Sequence, residues 1–363
     1  MRASRRCTLR CCPISEPFAL STMSTHSPVQ VAIAGEALID LIRRADGHYE
    51  PFLGGALYNL GRALARQGVG TQYLNPLSRD RFGRELAAQL VADGVQLAQP
   101  IPVGEVTSLA VVNLTEHGHP DYAFYREGVA DRTVTATGLG VACAAHGGAL
   151  QVVCTGALAL EARDAAIYLP WLQAQRAAGR CVVVDANLRP SVMPDLPAYR
   201  AQVHAALAEA HLIKASDEDL DHLQVPGTGP LARARHLLAA NPRARLMALT
   251  LGGEGAWLLR QGEDGGQWFA KEAEPLAVVD TVGAGDSFLA GLLAYLLRAQ
   301  AQQGTLAPIG MADFIAALPA ATYQQALHHA LASASLCVQE RGCVPPSWQA
   351  AQHWAAAHPA RQG

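Results

Sequence analysis

The run Asp280–Leu293, DTVGAGDSFLAGLL, carries the most concentrated chemistry in this sequence. Gly283, Ala284 and Gly285 leave their backbone N–H groups unshielded, because none has a large side chain. Phe288, Leu289, Leu292, Leu293 and Leu296 then recur at helical spacing, so the glycine turn opens an amphipathic helix. Amides of a turn and of a helix N-terminus, gathered around one point, make an anion site. Asp286 falls in the first turn of that helix. A carboxylate beside an anion hole suits phosphoryl transfer: the amides hold the charge of the group in flight, and the carboxylate takes the proton of the attacking hydroxyl. On these residues alone, an aspartate that merely caps a helix after a glycine turn fits at least as well.

The elements that must position this run alternate short apolar stretches with longer helical ones. Strands are expected at Val31–Ala34, Gln72–Leu74, Gln151–Cys154, Cys181–Asp185, His211–Lys214 and Leu246–Leu251. Helices are expected from about Tyr58 to Gln67 and from Phe82 to Asp93. Continuous Val/Leu/Ile runs suit parallel strands covered by helices on both faces, an α/β layered sheet. Two stretches break the rhythm. Leu41–Phe52 and Val106–Phe124 alternate polar with apolar residues around turn signals, the pattern of half-exposed antiparallel strands. A small sheet contributed by two insertions would form a lid on the α/β body.

The bulk properties restrict the partners. The chain has 363 residues, of which half are apolar and 16% charged, enough for a large buried core. A formal net charge of −3 gives no sign of a nucleic-acid or acidic-membrane partner, and no stretch reaches the roughly 20 apolar residues of a membrane span. The eight cysteines lack zinc-site spacing and read as reduced, mostly buried thiols of a cytoplasmic protein. Neither His117 and His119 nor His328 and His329 has a third ligand nearby in sequence for a metal. Residues 1–28 read as an extension; the first 22 are Arg-rich, and Met23 is the expected true start rather than the end of a targeting leader. A dinucleotide fold would need GxGxxG after the first strand, but Gly35 is followed by EALID.

DTVGAGDSF resembles, almost letter for letter, the C-terminal signature of the PfkB (ribokinase-like) carbohydrate kinases. The N-terminal signature is similar at LGGALYN, Leu53–Asn59, followed by Gly68 and by Gly83 in DRFGREL. The resemblance runs from about Val31 to Cys343. It implies a ribokinase-like three-layer α/β sandwich over residues 29–358, with a mostly parallel central sheet and a small β-sheet lid near 41–53 and 103–126. It also implies Asp286 as catalytic base beside the Gly283, Ala284 and Gly285 anion hole. Asp40, in GEALID, resembles the carboxylate that binds sugar hydroxyls, with Gly54, Gly55 and Asn59 approaching from the other side. DANLRP, with Asp185, Asn187 and Arg189, resembles a strand-end segment of fructokinases and 2-keto-3-deoxygluconate kinases, where Asn187 and Arg189 would meet substrate phosphates or sugar.

KASDED, Lys214–Asp219, occupies the place of the family's NxxE motif, with Ser216 for the asparagine and Asp219 for the glutamate. By resemblance Lys214 belongs to the nucleotide site, and Asp219 or Glu218 would organise Mg²⁺ through water. Thr250, Gly252 and Gly255 in TLGGEGAW are similar to the segment under the nucleotide. The family also implies ATP and, beside the anion hole, a K⁺ ion. FYREGVAD, Phe124–Asp131, resembles a lid return in which Arg126 faces the sugar. GEALIDL, SDEDL and DANLRP together are most similar to fructokinase, so fructose is the expected substrate. 2-Keto-3-deoxygluconate, ribose or a nucleoside is the alternative, and a non-catalytic sugar-binding regulator the alternative of another class. A homodimer through the lid is the expected partner state.

Overall fold

A computed structural model describes residues 27–44, 46–114, 120–262, 265–303 and 310–361. The extension up to residue 26, His117 and His119 lie outside the described residues. In chain order the first half contains β1 (Val31–Ile33), β2 (Leu38–Arg43), β3 (Tyr49–Gly54), α1 (Ala56–Arg66), β4 (Thr71–Tyr73), α2 (Arg81–Ala92), β5 (Gln96–Leu97), β6 (Ser108–Leu114) and β7 (Pro120–Tyr125). There follow α3 (Ala136–Ala144), β8 (Val152–Gly156), α4 (Ala165–Ala177), β9 (Cys181–Asp185), α5 (Leu196–Leu207), β10 (Leu212–Ser216), α6 (Asp217–His222), α7 (Pro230–Ala240) and β11 (Leu246–Thr250). The chain closes with β12 (Ala256–Arg260), β13 (Gln267–Ala270), α8 (Ala284–Gln302), α9 (Met311–Ala316), α10 (Ala320–Cys337) and α11 (Trp348–Ala357).

Nine strands form the central sheet in the order β13-β12-β11-β10-β9-β8-β1-β4-β5. It is parallel from β5 to β11 and antiparallel only at β12 and β13. Every residue of β1, β8 and β9 is buried, as their unbroken apolar runs require of strands covered on both faces. On one face α3, α4, α5 and α7 pack around Trp171, Leu172 and Val203; on the other α1, α8, α9 and α10 pack around Leu64, Leu293 and Leu327. No helix among the described residues is long and apolar enough to cross a membrane.

The chain leaves β1 toward β4 on one side and toward β8 on the other. Such a reversal opens a crevice at the carboxyl ends of the strands. The segments that follow β1, β8, β9 and β10 all enter it: Glu36, Ala157, Asn187 and Asp217 line the same cleft.

The lid is a separate four-stranded sheet, β3-β2-β6-β7. The alternating pattern predicts antiparallel strands throughout. β2 does pair antiparallel with β3, and β6 with β7, but β2 and β6 pair in parallel, Leu38 opposite Ser108. Two separate excursions that leave the body in the same direction must meet this way. β12 and β13, AWLLR and QWFA, were not foreseen, being too short for their periodicity to show. The chain also continues usefully beyond the expected boundary at 358, since Arg361 and Lys271 exchange backbone hydrogen bonds.

Candidate active site

The cleft between lid and body has a volume of about 1160 Å³. One wall is the turn that opens α8. Gly283 is the helix N-cap and sits in the left-handed region at φ 76°, where a Cβ would overlap Cys343 Sγ. Asp280 ties the turn to the segment after α10: Oδ1 accepts from Val282 N at 3.0 Å and Oδ2 from Gly342 N at 2.9 Å. Asp286 is therefore the third helical residue and not the cap. Ala284 N donates to the Thr281 carbonyl at 3.3 Å, and the amides of Gly285 and Asp286 fall in the first helical turn, which has no preceding turn to bond to.

Asp286 is buried, and Asn59 Nδ2 on α1 donates to its Oδ2 at 3.0 Å. Burial, reinforced by the nearby Asp185, pushes its carboxyl up to about 7, against the pull of Lys214, Asn59 and Arg189. Lys214, on β10, reaches across to Asp185 on β9, with Nζ 2.9 Å from each carboxylate oxygen. A Cβ on Gly285 would come within 3.0 Å of Lys214 Nζ, so the ammonium lies directly under the glycine turn. Burial opposes the lysine charge, but Asp185 and Asp219 more than offset it, so its pKa stands above the ordinary value. The turn thus offers amides, a helix N-terminus and a cation to one anion, with a carboxylate of near-neutral pKa alongside.

The facing wall lies beneath the lid. Asp40 is an interior residue of β2, its carboxyl raised to about 6 by burial, with Arg189 pulling down and Asp280 pushing up. Gly54 does not line the cleft but backs it: a Cβ there would overlap Asp40 Oδ2. Gly55 caps α1 at φ 108°, and a Cβ there would overlap the Glu36 carbonyl oxygen. Asn187 has φ 36°, and its Oδ1 accepts from Arg189 Nη1 at 2.6 Å, folding the DANLRP loop onto itself.

Two residues singled out in the sequence are engaged by other partners. Arg126 does not face this cleft. It is buried behind the end of β7, donates to the Leu158 carbonyl at 3.2 Å, and lies 3.6 Å from Asp131 and 3.5 Å from Glu161. Two buried acids hold it there as their counter-ion, beside a smaller cavity of about 490 Å³. Asp219 lines the cleft, but both its oxygens are engaged: Oδ1 accepts from Leu188 N at 2.7 Å and Oδ2 from Ser216 N at 2.8 Å. It closes a capping box at the start of α6 and pins the DANLRP loop. Glu218, by contrast, is exposed at the cleft edge.

Thr250, Gly252 and Gly255 line the far end of the cleft, in the turn between β11 and β12. The buried His329 is not isolated: its ring pairs with Gln67 Oε1 at 2.8 Å and packs on Trp348. Sequence reasoning missed Glu36, which is buried in the cleft wall with its carboxyl raised to about 7 by burial. It also missed Arg361, whose side chain reaches the cleft from the C-terminal tail.

The pattern of the pfkB family carbohydrate kinases matches residues 29–350. The chain belongs to that family. As a pfkB carbohydrate kinase it is 33% identical over 270 residues to a fructokinase of Rhizobium leguminosarum bv. trifolii, covering 73% of this chain and 79% of that protein. The fold is shared with a fructokinase of Xylella fastidiosa solved with bound ATP, at 24% identity, with a TM-score of 0.76 and coverage of 91% and 98%. It is shared too with a fructokinase double mutant of Vibrio cholerae O395 solved with fructose, ADP and a potassium ion. That match has 22% identity, a TM-score of 0.71 and coverage of 91% and 99%.

Proposed function

We propose that this pfkB kinase transfers the γ-phosphoryl group of ATP to a primary hydroxyl of fructose. The observation that carries the reading is Asp286: a buried carboxylate, fixed by Asn59 at 3.0 Å and raised to about 7, beside the glycine turn that opens α8. A base of that pKa is half ionised near neutral pH and matched to taking a hydroxyl proton. The amides of Gly283, Ala284 and Gly285, with Lys214 beneath them, hold the charge of the phosphoryl group in flight. Asp40, Gly55 and Asn59 bound the space for the sugar, with Gly54 fixing Asp40 from behind. Asn187 and Arg189 stand between the two substrates, and Thr250, Gly252 and Gly255 receive the nucleotide. That the relative from Rhizobium leguminosarum and the two neighbouring structures named above are fructokinases, the latter with ATP or ADP bound, supports the same choice.

Mg²⁺ keeps several waters and needs only one or two carboxylates, and the acidic start of α6 fits it. Glu218 would hold it and Asp219 would orient its waters; the ion supplies charge neutralisation to the ATP phosphates. A K⁺ ion beside the Asp280 turn, a homodimer through the lid and a cytoplasmic location complete the proposal. The test is ADP release from Mg-ATP across fructose, 2-keto-3-deoxygluconate, ribose, adenosine and fructose 6-phosphate. Turnover of fructose above the others is expected. Silence on the whole panel by folded protein with K⁺ present overturns the kinase reading in favour of a non-catalytic sugar binder.

A further inference from the structure

The segment that follows α10, Arg341–Cys343, touches three parts of the molecule at once. The first is the glycine turn that opens α8. Gly342 N donates to Asp280 Oδ2 at 2.9 Å, and Cys343 Sγ fills the space where a Cβ on Gly283 would lie. The second is α1, where Arg62 Nη1 donates to the Cys343 carbonyl at 3.1 Å. Arg62 stands roughly one helical turn beyond Asn59, the residue that fixes Asp286.

The third is the lid. The Arg341 guanidinium lies over the Phe52 ring, 5.2 Å from its centroid, and pairs with Glu50; both residues are on β3. A Cβ on Gly342 would come within 3.3 Å of Phe52 Cδ1, so the backbone of the segment also approaches the lid here. Phe52 stands directly opposite Asp40 on β2, and directly opposed residues of an antiparallel pair share a face. The segment therefore meets the lid on the face that carries Asp40, at its β3 edge.

The strength of these contacts decides their role. The Arg341 side chain is 57% exposed, and Arg44 also pairs with Glu50, at 3.4 Å. An exposed ion pair and a cation–π contact each shift an equilibrium only a few-fold, which adds little to the stability of the fold. A bias of that size suits a lid, whose open and closed positions differ by small free energies. The bonds behind Arg341, from Gly342 to Asp280 and from Arg62 to Cys343, are partly or fully buried and tie the segment to the site.

We propose that Arg341 is a positioning residue that couples the sugar end of the cleft to the glycine turn. When the lid lies over a sugar, β3 holds Arg341, and the segment behind it holds the Asp280–Gly283 turn ready for the nucleotide's phosphates. Such coupling is reciprocal, so each substrate tightens the binding of the other. The inference rests on the kinase reading above and adds a communication between its two substrate sites. Arg341 does not line the cleft and takes no part in the proton transfer assigned to Asp286.

The test is calorimetric. The dissociation constant of ADP is measured at fixed Mg²⁺ and K⁺, with and without saturating fructose, in the wild type, Arg341→Ala and Arg341→Lys. Fructose should tighten ADP binding about tenfold in the wild type. In Arg341→Ala the gain should shrink to about twofold, with ADP affinity in the absence of sugar and the thermal midpoint both held. Arg341→Lys keeps the charge for Glu50 but loses the planar stacking, and should fall between the two. Equal tightening in the wild type and Arg341→Ala would overturn the proposal, as would a wild type that binds fructose and ADP independently. So would an alanine variant that melts earlier and binds ADP weakly even without sugar, the mark of a merely structural contact. A wild type that fails to bind ADP or fructose refutes the kinase reading, and the coupling with it.

Discussion

On the wall opened by α8, the polar groups come from one short stretch of chain: Gly283, Ala284, Gly285 and Asp286 are consecutive, and much of their chemistry is backbone amide and helix N-terminus. On the facing wall, Glu36, Asp40 and Asn59 come from different elements and act through side chains, each held by a contact from elsewhere. Asp40 rests on Gly54, and Glu36 caps the helix that carries Asn59. The first wall is a local device that a motif can encode. The second is a constellation that exists only once β1, the lid and α1 have packed. The two meet at the bond from Asn59 to Asp286.

Breaking the first wall should cost turnover. Asp286→Asn removes the base and keeps the side chain's shape, so kcat should fall about 10²–10⁴-fold with fructose binding nearly intact. Gly283→Ala forces a side chain into a left-handed position and against Cys343, displacing the helix start. A shift of that kind can cost about 10²-fold in kcat, which steady-state kinetics would detect. Breaking the second wall should cost affinity. Gly54→Ala pushes on Asp40 and should raise the KM for fructose about tenfold, with a smaller change in kcat. If Gly54→Ala lowered kcat and left KM alone, the division of labour between the walls would be wrong.

Stability gives the smallest and most diffuse effect. Burial raises Asp286 and Glu36 to about 7 and Asp40 to about 6. The folded state therefore binds more protons than the unfolded chain between about pH 4 and 7, and stability should fall as pH rises through that window, then level off. Thermal midpoints from pH 5 to 8 should show this decline for the wild type. Asp286→Asn should flatten it, because one of the three buried acids no longer has to ionise.

Much of this was legible in the sequence. The unbroken apolar runs of β1, β9 and β10 identified a parallel sheet because burial on both faces leaves no room for polar alternation. The Asp280–Leu293 run was readable because its parts adjoin in sequence. The parallel pairing of β2 with β6 was hidden, since pairing between distant strands leaves no local mark. Arg126 was misread for the same reason: its partners Asp131 and Glu161 are set by packing, and an arginine in a lid return carries no sign that two buried acids will claim it. Glu36 was overlooked in GEALID because its distinction is an unfilled hydrogen bond, which only the packed structure reveals.

The proposed mechanism makes Asp286 the base, its carboxyl raised to about 7 by burial, and the most direct measurement is kcat for fructose against pH, in the wild type and in Asp286→Asn. The wild type should lose activity below about pH 7 as the carboxylate is protonated, and the residual rate of the variant should show no such limb. A limb that survives in the variant, or a variant that turns over like the wild type, would contradict the assignment.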